Sequence, residues 1–504
     1  MTKLKNSTLS PLAKICAVLT AAVTTGFMWR VRGDHGWGSM WGMFAVGVML
    51  ILVIYAVFGE RKKMSLEMIP VAVLLLGITN GGWGTLNSQM SGYLTSTAAF
   101  TGEQTARLVE INPVHGLFMM LFLGFGWMPL FALVIGSFFS KREYRLRDYL
   151  ILIAVFYAVT YIFKFSLSHF ILQAVHPEAV AFCKEGLADR GYDMSPMMAY
   201  IKEFGSAAWA KKVPFARNYF TSIDVMSAAF GALGTSVAAL VLIRDKMTAL
   251  ISFLINAVCA LSITVADVFL IIDSDKGLIP LGDKVPMWIQ APSWSLWEFF
   301  TGFLLGGGIM LILVLLPQKA IKEEPFSPVV PIKNKSFRYI FTAGAVVTYA
   351  FAVTVIRPLG MRIGTHLFEA GLVGDEDTAG TIIAVVLAAV VGACAFVLLR
   401  NKITDDGLFM GKAPAQFGRK AAMVYFLATS AVYFFTDDQL PFEGVKSAAD
   451  FKEMFAAGHL TVLLLCIIAF VLFLVLYNIT VRLVGKSKSI ELESFRAAEK
   501  VTDK

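Results

Sequence analysis

The residues best equipped for chemistry lie near the start of the chain. From Gly26 to Gly42 the sequence reads GFMWRVRGDHGWGSMWG, with two arginines, an aspartate, a histidine, three tryptophans and five glycines. Arg30 and Arg32 can grip a carboxylate or a phosphate in bidentate fashion. Asp34 and His35 can hold and move protons. The glycines permit close approach of a ligand to the main chain. Apolar runs flank the stretch on both sides, Leu12–Met28 and Trp41–Phe58. Charge set that close to hydrocarbon is costly, so it reads as a functional site by default. The competing duty for the same residue types is anchoring, with tryptophans as an interfacial belt and arginines snorkelling to headgroups.

Two later stretches carry related chemistry. Ser293-Trp-Ser-Leu-Trp-Glu298 sets Glu298 beside Trp294 and Trp297, which suits sugar stacking next to an acid; a Trp pair with a capping carboxylate has the same composition. Arg357-Pro-Leu-Gly-Met-Arg362-Ile-Gly-Thr-His366-Leu-Phe-Glu369 repeats the pairing of two arginines with a histidine and a carboxylate. The candidate proton-handling residues are therefore Asp34, His35, Glu298 and His366. The candidate substrate-binding residues are Arg30, Arg32, Trp37, Trp83, Asn87, Trp294, Trp297, Arg357 and Arg362.

Other motifs carry less. Lys164, in YIFKFSLSHF, sits within an apolar run and needs a partner there, for which Asp267 is a candidate. Asp273-Ser-Asp275 has the spacing of metal–diphosphate sites but reads more simply as a solvated loop. His169 and His176 are seven apart and share a face if one helix runs through both. No further ligands are marked, so no metal is assigned. There is no P-loop, GxGxxG, HExxH or GxSxG in a fitting context, and no cofactor is named.

The elements that position these residues follow from composition. The chain is 57% hydrophobic and 16% charged, against about a quarter charged in soluble domains. This predicts an all-α, polytopic integral membrane protein forming a single transmembrane domain over 1–504. About twelve runs reach spanning length: 12–29, 38–58, 67–83, 115–139, 148–174, 224–243, 247–271, 295–316, 339–356, 380–399, 421–436 and 457–481. Outer-face loops are expected at 84–114, 176–223, 272–294, 357–379 and 437–456, with a cytoplasmic linker at 317–338. Lysine and arginine crowd the loops of one face and leave the other net acidic, which puts both termini in the cytoplasm. The formal net charge of +8 is thereby divided between two membrane faces and does not call for nucleic acid. A plasma membrane, of the bacterial inner type, is the expected location. The N-terminal lysines mimic a signal peptide, but no cleavage site follows, and the first run reads as a span. Cys183 alone of the five cysteines falls in a long loop, so no disulfide framework is implied.

Polar chemistry is lopsided between the two faces. All six histidines, and every tryptophan except Trp127, fall on the outer side of this topology. Val48–Phe58, Leu305–Leu316 and Ala384–Leu399 on the inner side are almost bare of polar side chains. A carrier of hydrophilic solutes needs polar groups or broken helices at the midplane. The distribution favours a membrane-embedded enzyme that transfers a sugar or other polar group from or to a lipid-linked or extracellular glycan. The runner-up is a secondary transporter of a small polar or anionic solute, the usual role for this layout. Membrane lipid is a partner in either case.

Overall fold

The long apolar runs that fall within the described residues are helical, because a backbone in hydrocarbon must satisfy its hydrogen bonds within the segment. The computed structural model describes residues 9–34, 40–58, 92–101, 106–140, 142, 144–203, 215–272, 285–286, 288, 293–316, 336, 351–399, 403–404, 407–408, 414–436, 447–456 and 459–502. Its helices are α1 (Pro11–Asp34), α2 (Met40–Phe58), α3 (Pro113–Phe125), α4 (Pro129–Phe138), α5 (Leu146–Ile162), α6 (Ser168–Val175), α7 (Pro177–Asp189), α8 (Pro196–Glu203), α9 (Ala216–Val241), α10 (Lys246–Ala266), α11 (Ser293–Leu315), α12 (Arg357–Glu369), α13 (Glu376–Leu399), α14 (Pro414–Thr436), α15 (Ala448–Ala456) and α16 (His459–Thr502).

Seven helices among the described residues are long and apolar enough to cross a membrane, and an eighth crossing results if a bent pair counts as one. The chain is thus an all-α protein of multi-pass membrane character. The expected span 67–83 and most of 339–356 lie outside the described residues, as does most of the linker 317–338. The expected span 115–139 is broken: α3 and α4 meet at 52°. Pro129 supplies the cause, since it donates no backbone hydrogen bond and disfavours helix in the residue before it. Met128 indeed sits at φ −133, ψ 41. The stretch 357–379, expected as a loop, is helical through Glu369, and Gly360 and Gly364 of α12 seat directly on the backbone of α13 at Gly380.

The run 148–174 is continuous but not uniform. A π-helical turn, Phe163–Leu167, separates α5 from α6. Beyond it, α7, α8 and a hairpin of β1 (Thr97–Thr101) and β2 (Ala106–Glu110), paired antiparallel with Ala99 opposite Leu108, form a small lobe at one end of the bundle. Its core joins Phe100, Phe182, Cys183 and Tyr200. Cys183 is therefore buried, and burial pushes its thiol up to about 12. Glu178 clasps the lobe to α3: its carboxylate accepts from His115 at 2.8 Å, His176 at 3.0 Å and the backbone N–H of Asn112 at 3.0 Å.

The bundle itself is joined by small residues and hydroxyl pairs, as membrane helices are when apolar burial no longer distinguishes neighbour from lipid. Thr20 meets Thr480 at 2.9 Å, and Ser168 meets Ser227 at 2.8 Å. Among the described residues the most extensive seam is between α1 and α11. Gly302 and Gly306 lie one turn apart in a GxxxG arrangement. A Cβ at Gly302 would stand 2.4 Å from the carbonyl oxygen of Thr25, and one at Gly306 would stand 2.4 Å from that of Ala21.

Two outcomes follow. Gly302→Leu should separate α1 from α11 and lower the thermal midpoint in detergent, at a cost of at least the ~1–3 kcal/mol typical of overpacking; an unchanged midpoint would show that the seam is not this tight. Burial alone would raise the Glu178 carboxyl, but the three hydrogen bonds outweigh it and hold the group below the usual carboxylate range. Its stabilisation is therefore complete above that range and lost as pH falls through and below it. Hydrogen exchange of the hairpin should rise on acidification, and Glu178→Gln should remove that acid dependence while loosening the lobe at neutral pH.

Candidate functional site

The α1–α11 seam brings together residues that are far apart in sequence. Trp29 and Arg32 are three apart on α1 and share a face. Glu298 precedes Gly302 by one turn on α11, on the side that meets α1. The arginine's Nη1 lies 3.3 Å from Glu298 Oε2, with the Arg32 side chain wholly buried and that of Glu298 at 11% exposure. The Arg32 guanidinium carbon lies 5.1 Å from the Trp29 ring centroid and 5.9 Å from that of Trp127. The two indoles are 5.7 Å apart, so the cation faces two π-systems and one carboxylate. Trp127 reaches it because the chain breaks between α3 and α4: the bend set by Pro129 turns an indole inward at the depth of Arg32.

A second carboxylate lies nearby. Asp267, fully buried where α10 gives way to a 3₁₀ turn, accepts from the Trp297 indole N–H at 2.8 Å. Trp297 is itself fully buried, with Trp294 edge-on to it at 5.7 Å. Of this pair only Trp294 has a partly exposed ring. The Tyr93 hydroxyl caps the group by donating to the carbonyl of Thr264 on α10. Arg30, 3% exposed, adds its positive charge to the field at Glu298. Two arginines and two carboxylates are thus held among indoles at one end of the bundle. The arrangement can stabilise an anion and move a proton at the Glu298 carboxylate. Arg32 pairs with Glu298, and Arg30 is among the residues that line a cavity between α1, α11 and α16.

The other sequence candidates are placed differently. Asp34 is the last residue of α1, and its side chain lies outside the described residues, as do His35, Trp37, Trp83 and Asn87 entirely. Arg357 and His366 are exposed on α12, Arg362 is half-buried, and His366 meets Glu369 on its own helix at 3.3 Å. Between that helix and α1 stands α2, which touches α1 and the π-helical turn Ala352–Ile356 that leads into α12.

Trp127, Asp267 and Tyr93 belong to the site without having been singled out for it. Gly-Trp-Met-Pro129, a proline inside an apolar run read as one span, is the feature from which the position of Trp127 could have been found. The ion partner of Lys164 is Asp224 on α9, with Nζ 2.8 Å from Oδ1, rather than Asp267. His169 and His176 do not share a helix face, since α6 ends at Val175. His169 contacts the Tyr219 hydroxyl at 2.7 Å and the Lys164 carbonyl at 3.0 Å. Among the described residues, no three His, Cys, Asp or Glu side chains converge as a metal shell; Asp273 and Asp275 lie outside them.

No family model, curated protein or solved structure matches this chain. The reading of the site therefore rests on its own geometry.

Removing either partner of the buried pair leaves a charge without compensation, at a cost of ~3–5 kcal/mol. Arg32→Met and Glu298→Leu should each lower the unfolding midpoint sharply, and the double variant should be more stable than either. Additive losses would mean the two side chains act independently.

Proposed function

We propose that the protein is a membrane-embedded enzyme whose site faces the outer side and which transfers a sugar or other polar group from or to a lipid-linked or extracellular glycan. The observation that carries this reading is the Arg32–Glu298 pair, with Arg30 beside it, held at one end of helices whose other halves are apolar. Carriers need polar lining past their midplane. Here the stretch of α11 below Gly302 buries Leu305, Ile309, Met310 and Leu313, and α2 buries Val48 to Phe58 throughout. In this reading the Glu298 carboxylate takes the proton of an acceptor hydroxyl, whose oxygen attacks the transferred carbon. The bond from that carbon to the carrier phosphate breaks, and the phosphate leaves with the electron pair under the charge of Arg30. Arg32 orients Glu298 and offsets part of the cost of burying its charge. His35, Asp34 and the Arg357–His366 stretch are assigned to the same outer side. The full topology proposed is twelve spans with both termini cytoplasmic, in a bacterial inner membrane.

One observation favours a second reading, a secondary transporter. Lys164 and Asp224 form an ion pair inside two spans, at a π-helical turn, with the Tyr200 hydroxyl also on Asp224 and the Lys164 ammonium 5.7 Å from the Tyr200 ring. Ionisable pairs within spans mark ion paths in carriers, and π turns recur at functional sites.

Purified protein in liposomes separates the two. Transfer of a labelled sugar from a lipid diphosphate donor, lost in Glu298→Gln and retained in Asp224→Asn, is the expected result. Saturable solute uptake that is lost in Asp224→Asn and retained in Glu298→Gln would overturn the enzyme reading.

A further inference from the structure

From the shape and charge of the cavity beside Glu298 we infer that this groove holds the hydrocarbon chain of a phosphate-bearing lipid, with the head at Arg30. This rests on the enzyme reading for what the lipid is used for, but not for its binding. The cavity measures about 290 Å³ and lies between α1, α11 and α16. Each helix contributes one stripe at helical spacing. On α1 it runs from Val23 through Phe27 to Arg30, on α11 from Phe303 back through Phe299 to Ser295, and on α16 from Leu472 back to Val462.

The three stripes run in register. Arg30 and Ser295 stand together at the end where the Arg32–Glu298 pair sits, and the opposite end is lined by aliphatic and phenyl groups alone. At 1.5 Å per residue the stripes extend about 10 Å on α1 and about 15 Å on α16. That is about one leaflet of a hydrocarbon core roughly 30 Å thick.

Among the described residues that line this groove Arg30 is the one cation, and its charge sets the chemistry of the occupant. A guanidinium at one end of an apolar slot favours an anion that carries its own hydrocarbon, since the tail fills the slot while the phosphate meets the charge. A free sugar or a soluble phosphate would leave the phenyl-lined length unfilled. A zwitterionic bulk lipid would present a second charge of the wrong sign. The same placement brings the phosphate to the helix ends that hold Glu298, with the tail leading away from it.

The test uses the full-length protein in nanodiscs and two photoreactive probes of equal chain length, a long-chain alkyl phosphate and the corresponding alcohol. The phosphate should label the α16 peptide Val462–Leu472 saturably and about tenfold more tightly than the alcohol, equivalent to about 1.4 kcal/mol. Arg30→Gln should erase that preference and leave the alcohol unaffected. Ala469→Phe, which fills the slot from α16, should abolish labelling by both probes in a protein that still elutes as a single species; Cys466→Phe tests the same slot one turn away. Equal labelling by both probes, or labelling that neither filling variant reduces, would overturn the proposal in favour of bulk bilayer contact. Labelling as expected with no transfer from any lipid-linked donor would sustain the groove and remove the enzyme reading. Transfer that persists in Ala469→Phe would remove the groove and sustain the enzyme.

Discussion

The close approach of α1 and α11 is the constraint on which the rest of the site depends. Glycine at 302 and 306 lets α11 come up against the backbone of α1 at Ala21, Thr25 and Gly26. One consequence is chemical: the side chains one turn further along that face, Arg32 and Glu298, come within ion-pair distance although 266 residues separate them. The other is spatial. Beside the glycine seam the phenylalanines at 299, 300 and 303 line the groove, with Phe299 also against Gly26 of α1 and Phe300 stacked on Phe269 at 4.4 Å. The polar centre and the apolar groove are two products of the same packing decision.

Hydrocarbon allows a charge only if it is answered, and this chain answers its charges in pairs. Arg32 has a carboxylate and two indoles. Lys164 has Asp224 and the Tyr200 ring, and Asp267 has the Trp297 N–H. Except for Trp29, which shares α1 with Arg32, each answer comes from a different helix and so also ties the bundle together. The hydroxyl pairs Thr20–Thr480 and Ser168–Ser227 do the same on a smaller scale. Polar groups here serve as positioning devices before they serve as chemistry, and the elements that hold them apart from water are those that fix their geometry.

The sequence made some of this legible. Composition and apolar run length were enough for helical, membrane-crossing character, and the crowding of arginine, tryptophan and carboxylate was enough to single out Arg32, Glu298 and Trp297. Partnership was not legible, because pairing across a bundle depends on which helices are neighbours, and apolar runs do not encode that. Lys164 needed a carboxylate and two spans offered one each; only packing chose Asp224 over Asp267. Trp127 was hidden because an apolar run with one proline scans as a single span, while in space the proline turns it and aims an indole. His169 and His176 had helical spacing, but a spacing argument fails when the helix ends between the two residues, as it does before Pro177.

The π-helical turn at Phe163–Leu167 has a consequence for how this helix must be read. One residue more per turn shifts the phase of everything after it by about 100°. Ser168 and His169 therefore face α9 because of a slip in the backbone ladder, not because of their distance from Arg147. The helix is two surfaces wound in different phase on one axis, the first packed on α9 and the second on α9, α7 and α3. No single periodicity describes its contacts. A pattern of tolerated changes along it will repeat with one phase up to Ile162 and another from Ser168 onward.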